Sequence, residues 1–295
     1  EAGQSLNKAL GHHDKVFNQV FVSLVAAGES SGTLDKALER LAEQLEKDAE
    51  IAGKVKGAMI YPAIVLFVIF GVVVFMLTTV LPQVELLYKD LNKELPFITS
   101  AMLFVSKLLI NYWYIILFVL FVGGFFLVRY MKSSSGKEIG DALKMHMPIF
   151  GKLYMKMYMT RFTRTGGTLM QSGVPMLEMM RITGDSVNNV HIKRATNRAA
   201  DKVKTGKALS DTLTDDTNFL PLVPQMIRIG EQSGSLDAMM IKTALYYEGE
   251  LDREIKGITT TIEPILMVFL ALIAGLMVGA ILMPVYGLVG ESIAL

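Results

Sequence analysis

The residues that could do chemistry in this sequence gather in two matching segments. One is Gly28-Glu29-Ser30-Ser31-Gly32-Thr33-Leu34-Asp35 and the other is Gly230-Glu231-Gln232-Ser233-Gly234-Ser235-Leu236-Asp237. Each sets one carboxylate and one or two hydroxyls between two glycines. Glycine on both sides of a short polar stretch permits a tight turn between two helices. A turn needs no glutamate, so Glu29 and Glu231 call for a separate role. Either they accept hydrogen bonds from the free amides of the next helix, or they contact a partner.

The other chemistries fail on residue type or spacing. A nucleotide-binding loop needs Gly-x-x-x-x-Gly-Lys-Ser/Thr, so that backbone amides can wrap phosphates. Gly206-Lys207 comes nearest, but Ala208 follows it and Asp201 stands where the first glycine belongs. The four histidines, His12, His13, His146 and His191, lack metal-ligand spacing and read as solvated groups. There are no cysteines, which excludes disulfides, thiolate metal sites and cysteine nucleophiles. No serine lies in a nucleophile-elbow pattern. The chain is therefore expected to be no enzyme, with no cofactor and no metal. A net charge of +1 gives no argument for nucleic acid as a partner.

The elements that hold the two segments follow from composition. Hydrophobic residues make up 52% of the 295, and the mean hydropathy is +0.41, above the usual soluble balance. Three uncharged stretches approach the ~20 residues that cross a bilayer as helix. They are Ile60 to Leu81, Tyr112 to Val128 and Pro264 to Met283. Soluble helices seldom stay apolar on every face, so these read as membrane spans. Lys54 and Lys56 precede the first, Arg129, Lys132 and Lys137 follow the second, and Arg253 and Lys256 precede the third. That basic bias puts residues 1–59 and 130–262 on the cytoplasmic side, with 82–111 and the C-terminal tail outside. Lys89, Lys93 and Lys107 in the outer loop are mixed with Glu85, Asp90 and Glu94.

The two glycine-glutamate segments match without a gap at an offset of 202 residues, and the match continues past them. Glu46 meets Glu248, Lys54 meets Lys256, Pro62 meets Pro264 and Pro82 meets Pro284. Upstream, Gly3-Gln4-Ser5-Leu6 matches Gly206-Lys207-Ala208-Leu209 after a one-residue gap. The period is too long for a solenoid and marks two copies of one domain, each feeding a membrane helix. The second copy extends back to about Tyr158, so the first is expected to lack its opening helices.

The coarse structure is helical throughout. Thr33 can cap a helix whose first turn holds Asp35. Leu34, Leu38, Leu41, Leu45, Ala49 and Ala52 then form one apolar stripe, and Glu43–Lys47 and Glu50–Lys54 are favourable pairs on the wet side. Arg161 to Ile182 reads as two helices broken at Ser172-Gly173-Val174-Pro175, and Ile192 to Val203 as another. The methionines around Met145 to Met180 read mainly as core filler. Ala271, Gly275 and Gly279 set a small-residue ridge on the third span, fit either for packing within the chain or for oligomerisation. A small transporter subunit is the rival reading. Transporters place ionisable groups within their spans, and these spans hold none; Glu263 lies just before Pro264 at the edge.

These features together resemble the F-domain inner-membrane proteins of type II secretion systems and type IV pilus machines (GspF/PilC-like). The residues that carry the resemblance are Gly28-Glu29-x-Ser31-Gly32-x-Leu34-Asp35 with Tyr61-Pro62, and Gly230-Glu231-x-Ser233-Gly234-x-Leu236-Asp237 with Glu263-Pro264. Arg161-Phe162 through Ser172-Gly173-Val174-Pro175 also fits the family pattern. The resemblance covers nearly the whole chain and departs at the front, where most of the first half-domain is missing. It implies an all-α polytopic protein with three transmembrane helices and two repeated cytoplasmic bundles, the first truncated. The expected layout is residues 1–59 as the end of the first F-type domain and 60–81 as transmembrane helix 1. A periplasmic loop and lead-in helix at 82–111 and transmembrane helix 2 at 112–130 follow. The second, six-helix domain takes 131–262, transmembrane helix 3 takes 263–286, and a periplasmic tail takes 287–295. Such proteins are platforms of the bacterial inner membrane, thought to form homo-oligomers. They are expected to couple a cytoplasmic hexameric ATPase to pilin or pseudopilin polymerisation, alongside other inner-membrane assembly proteins and membrane lipid. The family brings no catalytic residues. Glu29 and Glu231 are the candidates for partner contact or for fixing the helical hairpins.

Overall fold

A computed structural model describes residues 5–13, 16–90, 95–148 and 150–292, and among these no strand occurs. Gly3 and Gln4 of the upstream match, Lys93 and Glu94 of the loop, and 293–295 of the tail lie outside the described residues. The elements in chain order are α1 (Leu6–Gly11), α2 (Gln19–Ser31) and α3 (Leu34–Phe75), then a π-helical turn (Met76–Val80), α4 (Leu81–Asp90) and α5 (Phe97–Met131). The second half holds α6 (Ser134–His146), α7 (Phe150–Gln171), α8 (Met176–Ser186), α9 (Val190–Lys204), α10 (Leu209–Thr214), α11 (Leu222–Ser233) and α12 (Leu236–Ser292). Three helical stretches are long and apolar enough to cross a membrane, within 34–90, 97–131 and 236–282.

Local chemistry sets many of these boundaries. Asn18 caps α2 by accepting from the Phe21 amide, and Asn189 caps α9 by accepting from the His191 and Ile192 amides. Between α7 and α8, Gly173 takes a φ of +83° and Pro175 occupies the cap of the following helix. The two copies are visible as α1–α2–α3 and α10–α11–α12, a short helix, a medium one and a long one.

The chain divides into two compact units. The first combines Glu1–Lys56 with Met131–Gly257. Its core joins Val20, Leu24 and Leu41 of the first copy to Met159, Phe162, Leu169, Met179, Met180 and Ile227 of the second. The first copy thus shares one core with the second. Helices α1–α3 have little apolar surface of their own to close over, so α2 lies against α7 and α8. Met159, Met179 and Met180 are fully buried here, as core filler should be, and Met145, Met157, Met170 and Met176 pack around them.

The stripe expected on α3 is rotated. Ala37, Leu41, Gln44 and Ile51 are buried, whereas Leu38 and Leu45 are exposed. The reason is a polar neighbour: Arg40 donates to the Gln171 carbonyl (2.8 Å) and Ser172 Oγ (2.9 Å), and Gln44 reaches Thr165 Oγ1 at 3.4 Å. Those contacts turn Leu38 outward.

The second unit takes Gly57–Tyr130 and Ile258–Leu295. Leu77, Leu81, Leu103 and Ala280 form its buried cluster. Ser106 Oγ donates to the Leu77 carbonyl in the π-helical turn (2.5 Å), and Thr99 Oγ1 donates to the Ala280 carbonyl (3.0 Å). A π turn disturbs the regular i→i−4 ladder, and a hydroxyl from the neighbouring helix supplies a donor there. Glu85 sits between Lys89 and Lys107, each at 2.8 Å. Helix α5 breaks at Tyr112, whose φ of −120° and ψ of 18° are not helical. Its later part leaves large side chains such as Phe121 uncovered, at 77% exposed. A lipid-facing helix has that character.

Candidate functional site

The glycines and glutamates of the two segments, with Ser31 and Ser233, have structural tasks, and both copies solve them alike. Gly32 and Gly234 end α2 and α11 in the left-handed region, at φ of +71° and +66°. Their amides and those of Thr33 and Ser235 donate back to the carbonyls of Gly28 and Gly230, closing the C-cap. Ser31 Oγ donates to the Ala27 carbonyl and bonds Thr33 Oγ1; Ser233 Oγ does the same with the Ile229 carbonyl and Ser235 Oγ. Gly28 and Gly230 let the next helix approach. A Cβ on Gly28 would stand 2.5 Å from Ala37 Cβ, and one on Gly230 would stand 2.7 Å from Leu236 Cα.

The glutamates do accept amides, but the helix they serve is the preceding one. Glu29 takes the Leu6 amide at 2.9 Å and the Asn7 amide at 3.1 Å, at the start of α1. Glu231 takes the Leu209 amide at 2.6 Å and the Ser210 amide at 3.2 Å, at the start of α10. Leu6 and Leu209 are partners in the upstream match, so the bond itself is duplicated. The expected acceptance from the next helix is corrected on this point. The Schellman turn already sets the path into α3 and α12, whereas α1 and α10 start without a side-chain cap of their own. A carboxylate facing two free amides satisfies them and meets the positive end of the helix dipole. Replacing Glu231 by Ala should therefore destabilise the first unit by about 1–2 kcal/mol, the cost of a lost cap. Gln, which keeps one acceptor oxygen, should cost less. Thermal unfolding followed by circular dichroism in detergent measures both, and equal stability of Glu231→Ala and the parent would refute the role.

A second polar system was not foreseen from spacing. Helix α7 carries Lys156, Arg161 and Arg164, and their partners lie on α3 and α12. Arg164, 6% exposed, donates from Nε to Glu248 Oε1 at 2.5 Å, and its Nη2 rests against the same oxygen. Glu43 stands 3.8 Å from Arg164 Nη1, and Asp48 stands 3.9 Å from Arg161 Nε. Lys156 donates to Glu250 (3.0 Å) and Glu254 (2.6 Å). Burial alone lowers the Lys156 ammonium's pKa, but the bonds to Glu254 and Glu250 outweigh it and hold it above the ordinary lysine range. Lys54 of α3 closes the system, bonding Asp252 of α12 at 2.8 and 3.0 Å and Glu50 at 2.8 Å.

Bonds from Lys47 and then Lys54 pull the Glu50 carboxyl down to about 2. A depressed carboxyl contributes its stability above its unfolded pKa and loses it as pH falls through the folded one. This pairing therefore persists throughout the neutral range. Lys47 pairs with Glu50 and not with Glu43 as the spacing suggested. The sequence hints at the system in the foreseen Glu50–Lys54 pair and in the recurrence of Lys156 and Arg164 two helical turns apart.

The other expected site residues lie apart from these. Pro62 sits inside α3 and is buried, while Glu263 and Pro264 lie exposed within α12. Ala271 is exposed, and a Cβ on Gly275 or Gly279 would meet nothing within 4 Å. The ridge is thus not used for packing within the chain. Among the described residues, no group of His, Cys, Asp and Glu could hold a metal ion.

Comparison with known proteins agrees with the duplication. The family described as Type II secretion system (T2SS), protein F matches residues 1–82 and 162–284. The two matched segments end at the same 202-residue offset as the motifs. The type IV pilus assembly protein PilC of Thermus thermophilus is 38% identical over 98% of this chain and 71% of its own length. PilC of Myxococcus xanthus is 35% identical over 98% of this chain and 70% of its own length. The type II secretion system protein F of Xanthomonas campestris pv. campestris is 35% identical over 97% of this chain and 71% of its own length.

Proposed function

This chain belongs to the type II secretion system protein F family, and we propose that it is a non-enzymatic platform of the bacterial inner membrane. In this reading it couples a cytoplasmic assembly ATPase to pilin or pseudopilin polymerisation. Residues 1–59 and 131–262 face the cytoplasm, as the basic flanks of the spans favour. Glu29 and Glu231 serve to fix the helical hairpins. The observation that supports coupling best is the arrangement of α3 and α12. Each is one helix from its glycine turn into an apolar stretch, and α7 is joined to α12 by buried and half-buried ion pairs and to α3 by hydrogen bonds with Arg40 and Gln44. A continuous helix carries a push along its axis with little loss, and paired helices move as one.

Deleting the protein should abolish fibre assembly while pilins accumulate in the membrane, and the full chain should co-purify from membranes with the assembly ATPase. Normal fibres in the deletion strain, or no ATPase recovered under conditions that retain the pilins, would defeat the proposal. Homo-oligomerisation through the small-residue ridge fits the open space beside Gly275 and Gly279. Gly275→Leu with Gly279→Leu should shift the purified protein toward monomer in light scattering. An unchanged mass would move the interface elsewhere.

A further inference from the structure

Helix α6 is amphipathic in the wrong sense for a helix of a water-soluble body. The side held against the first unit carries Gly136, Gly140 and Asp141, all buried. Ile139 is 56% exposed, Leu143 is 60% exposed, and Met147 beyond the helix end is also exposed. Residues four apart share a helix face, so these side chains form one apolar ridge.

Polar anchors fix this rotation. Asp141 accepts from the Val190 amide at the start of α9 (3.0 Å) and from Lys144 (3.2 Å). Glu138 takes a two-pronged bond from Arg194, and its carbonyl lies 3.1 Å from His191 Nε2. The side chain of Met131 lies over Gly140, where a Cβ would displace it. Turning Ile139 and Leu143 inward would withdraw Asp141 from α9 and leave the Val190 amide without its carboxylate.

We infer that α6 is an interfacial helix: its Ile139–Leu143–Met147 ridge lies in the headgroup boundary of an anionic bilayer. Two observations choose a lipid surface over a protein. Ile139 follows Tyr130, the end of the segment Gly57–Tyr130 that holds the first two spans, by nine residues, and nine residues span at most ~30 Å. Exposed Arg129 at the end of α5 and Lys132 in the connecting stretch suit anionic headgroups. A ridge of three side chains is far smaller than the ~800 Å² per partner of a stable protein interface. It suffices for a helix lying in a membrane surface beside a span that already anchors it.

The inference rests on the reading of 112–130 as membrane-crossing, and the test separates the two. The chain has no cysteine, so single labels are clean. Leu143→Cys, Phe121→Cys within the span and Lys207→Cys in an exposed loop each carry an environment-sensitive fluorophore in the full chain. The protein is placed in vesicles of phosphatidylethanolamine and phosphatidylglycerol that contain headgroup or shallow-acyl nitroxide lipids to probe position 143, or deep-acyl nitroxide lipids to probe position 121. The label at 143 should be quenched several-fold more than the label at 207 and should emit at shorter wavelength. Quenching at 121 with none at 143 would overturn the interfacial helix alone. No quenching at 121 would overturn the span. A label at 143 that is shielded from water but untouched by nitroxide lipids would point to a protein partner, and would also overturn the inference.

Discussion

Glu248→Ala is expected to destabilise the first unit by about 3–5 kcal/mol, because it strands the Arg164 guanidinium in the interior. Arg164 is 6% exposed, and Glu248 is its close partner. Among the described residues, Glu43 is the one other acid within ion-pair distance, at 3.8 Å, and its own side chain is 65% exposed. A solvated carboxylate at that distance is worth at most ~1 kcal/mol. Glu43→Ala should therefore be nearly silent. At ~2–4 °C per kcal/mol for a unit of this size, the Glu248 variant should melt at least 6 °C below the parent. Replacing both partners, Arg164→Leu with Glu248→Leu, should recover most of the loss, since an apolar pair removes the stranded charge. Melting by circular dichroism in detergent decides the matter. A Glu248→Ala variant within 1 kcal/mol of the parent would mean that water or Glu43 already satisfies Arg164. The same variant, if folded at lower temperature, asks whether assembly needs the α7–α12 tie.

Gly230→Ala should cost about 1 kcal/mol net, against the direction of helix propensity. Alanine in a helix interior is favoured over glycine by about 1 kcal/mol. At Gly230 the added Cβ would stand 2.7 Å from Leu236 Cα and 3.2 Å from the Leu236 amide nitrogen, so it meets backbone that cannot swing aside. Overpacking of that kind costs about 1–3 kcal/mol and shifts the start of α12. Gly249 of α12 supplies the control, because a Cβ there would meet nothing within 4 Å. Gly249→Ala should stabilise by up to about 1 kcal/mol. Opposite signs at two helical glycines separate close approach from propensity. A stabilised Gly230→Ala would show that α11 and α12 can part without loss.

Much of this architecture is legible in the residues themselves. An uninterrupted apolar run reports a span, because nothing else tolerates apolar side chains on every face of a long helix. Gly32 and Gly234 announce their turns, because a positive φ is a local demand that few other residues meet. The duplication needs no structure at all, since the motifs match at an offset of 202 residues and Leu6 meets Leu209 after a one-residue gap.

Tertiary structure decided the rest, in places where a residue's fate depends on distant neighbours. Glu231 bonds amides 21 and 22 residues earlier, and Arg164 pairs with a glutamate 84 residues later. Neither choice is written in local periodicity. Leu38 and Leu45 match Met240 and Tyr247 at the repeat offset, yet the first pair is exposed and the second is in the core. The same repeat position is apolar in both copies, and only the helix packed beside it sets its burial. On α6 the pattern reads as an ordinary amphipathic helix, and it is the bond from Asp141 to α9 that turns the apolar side out. Spacing states which residues share a face. Which way that face points is settled by the partners that hold the helix.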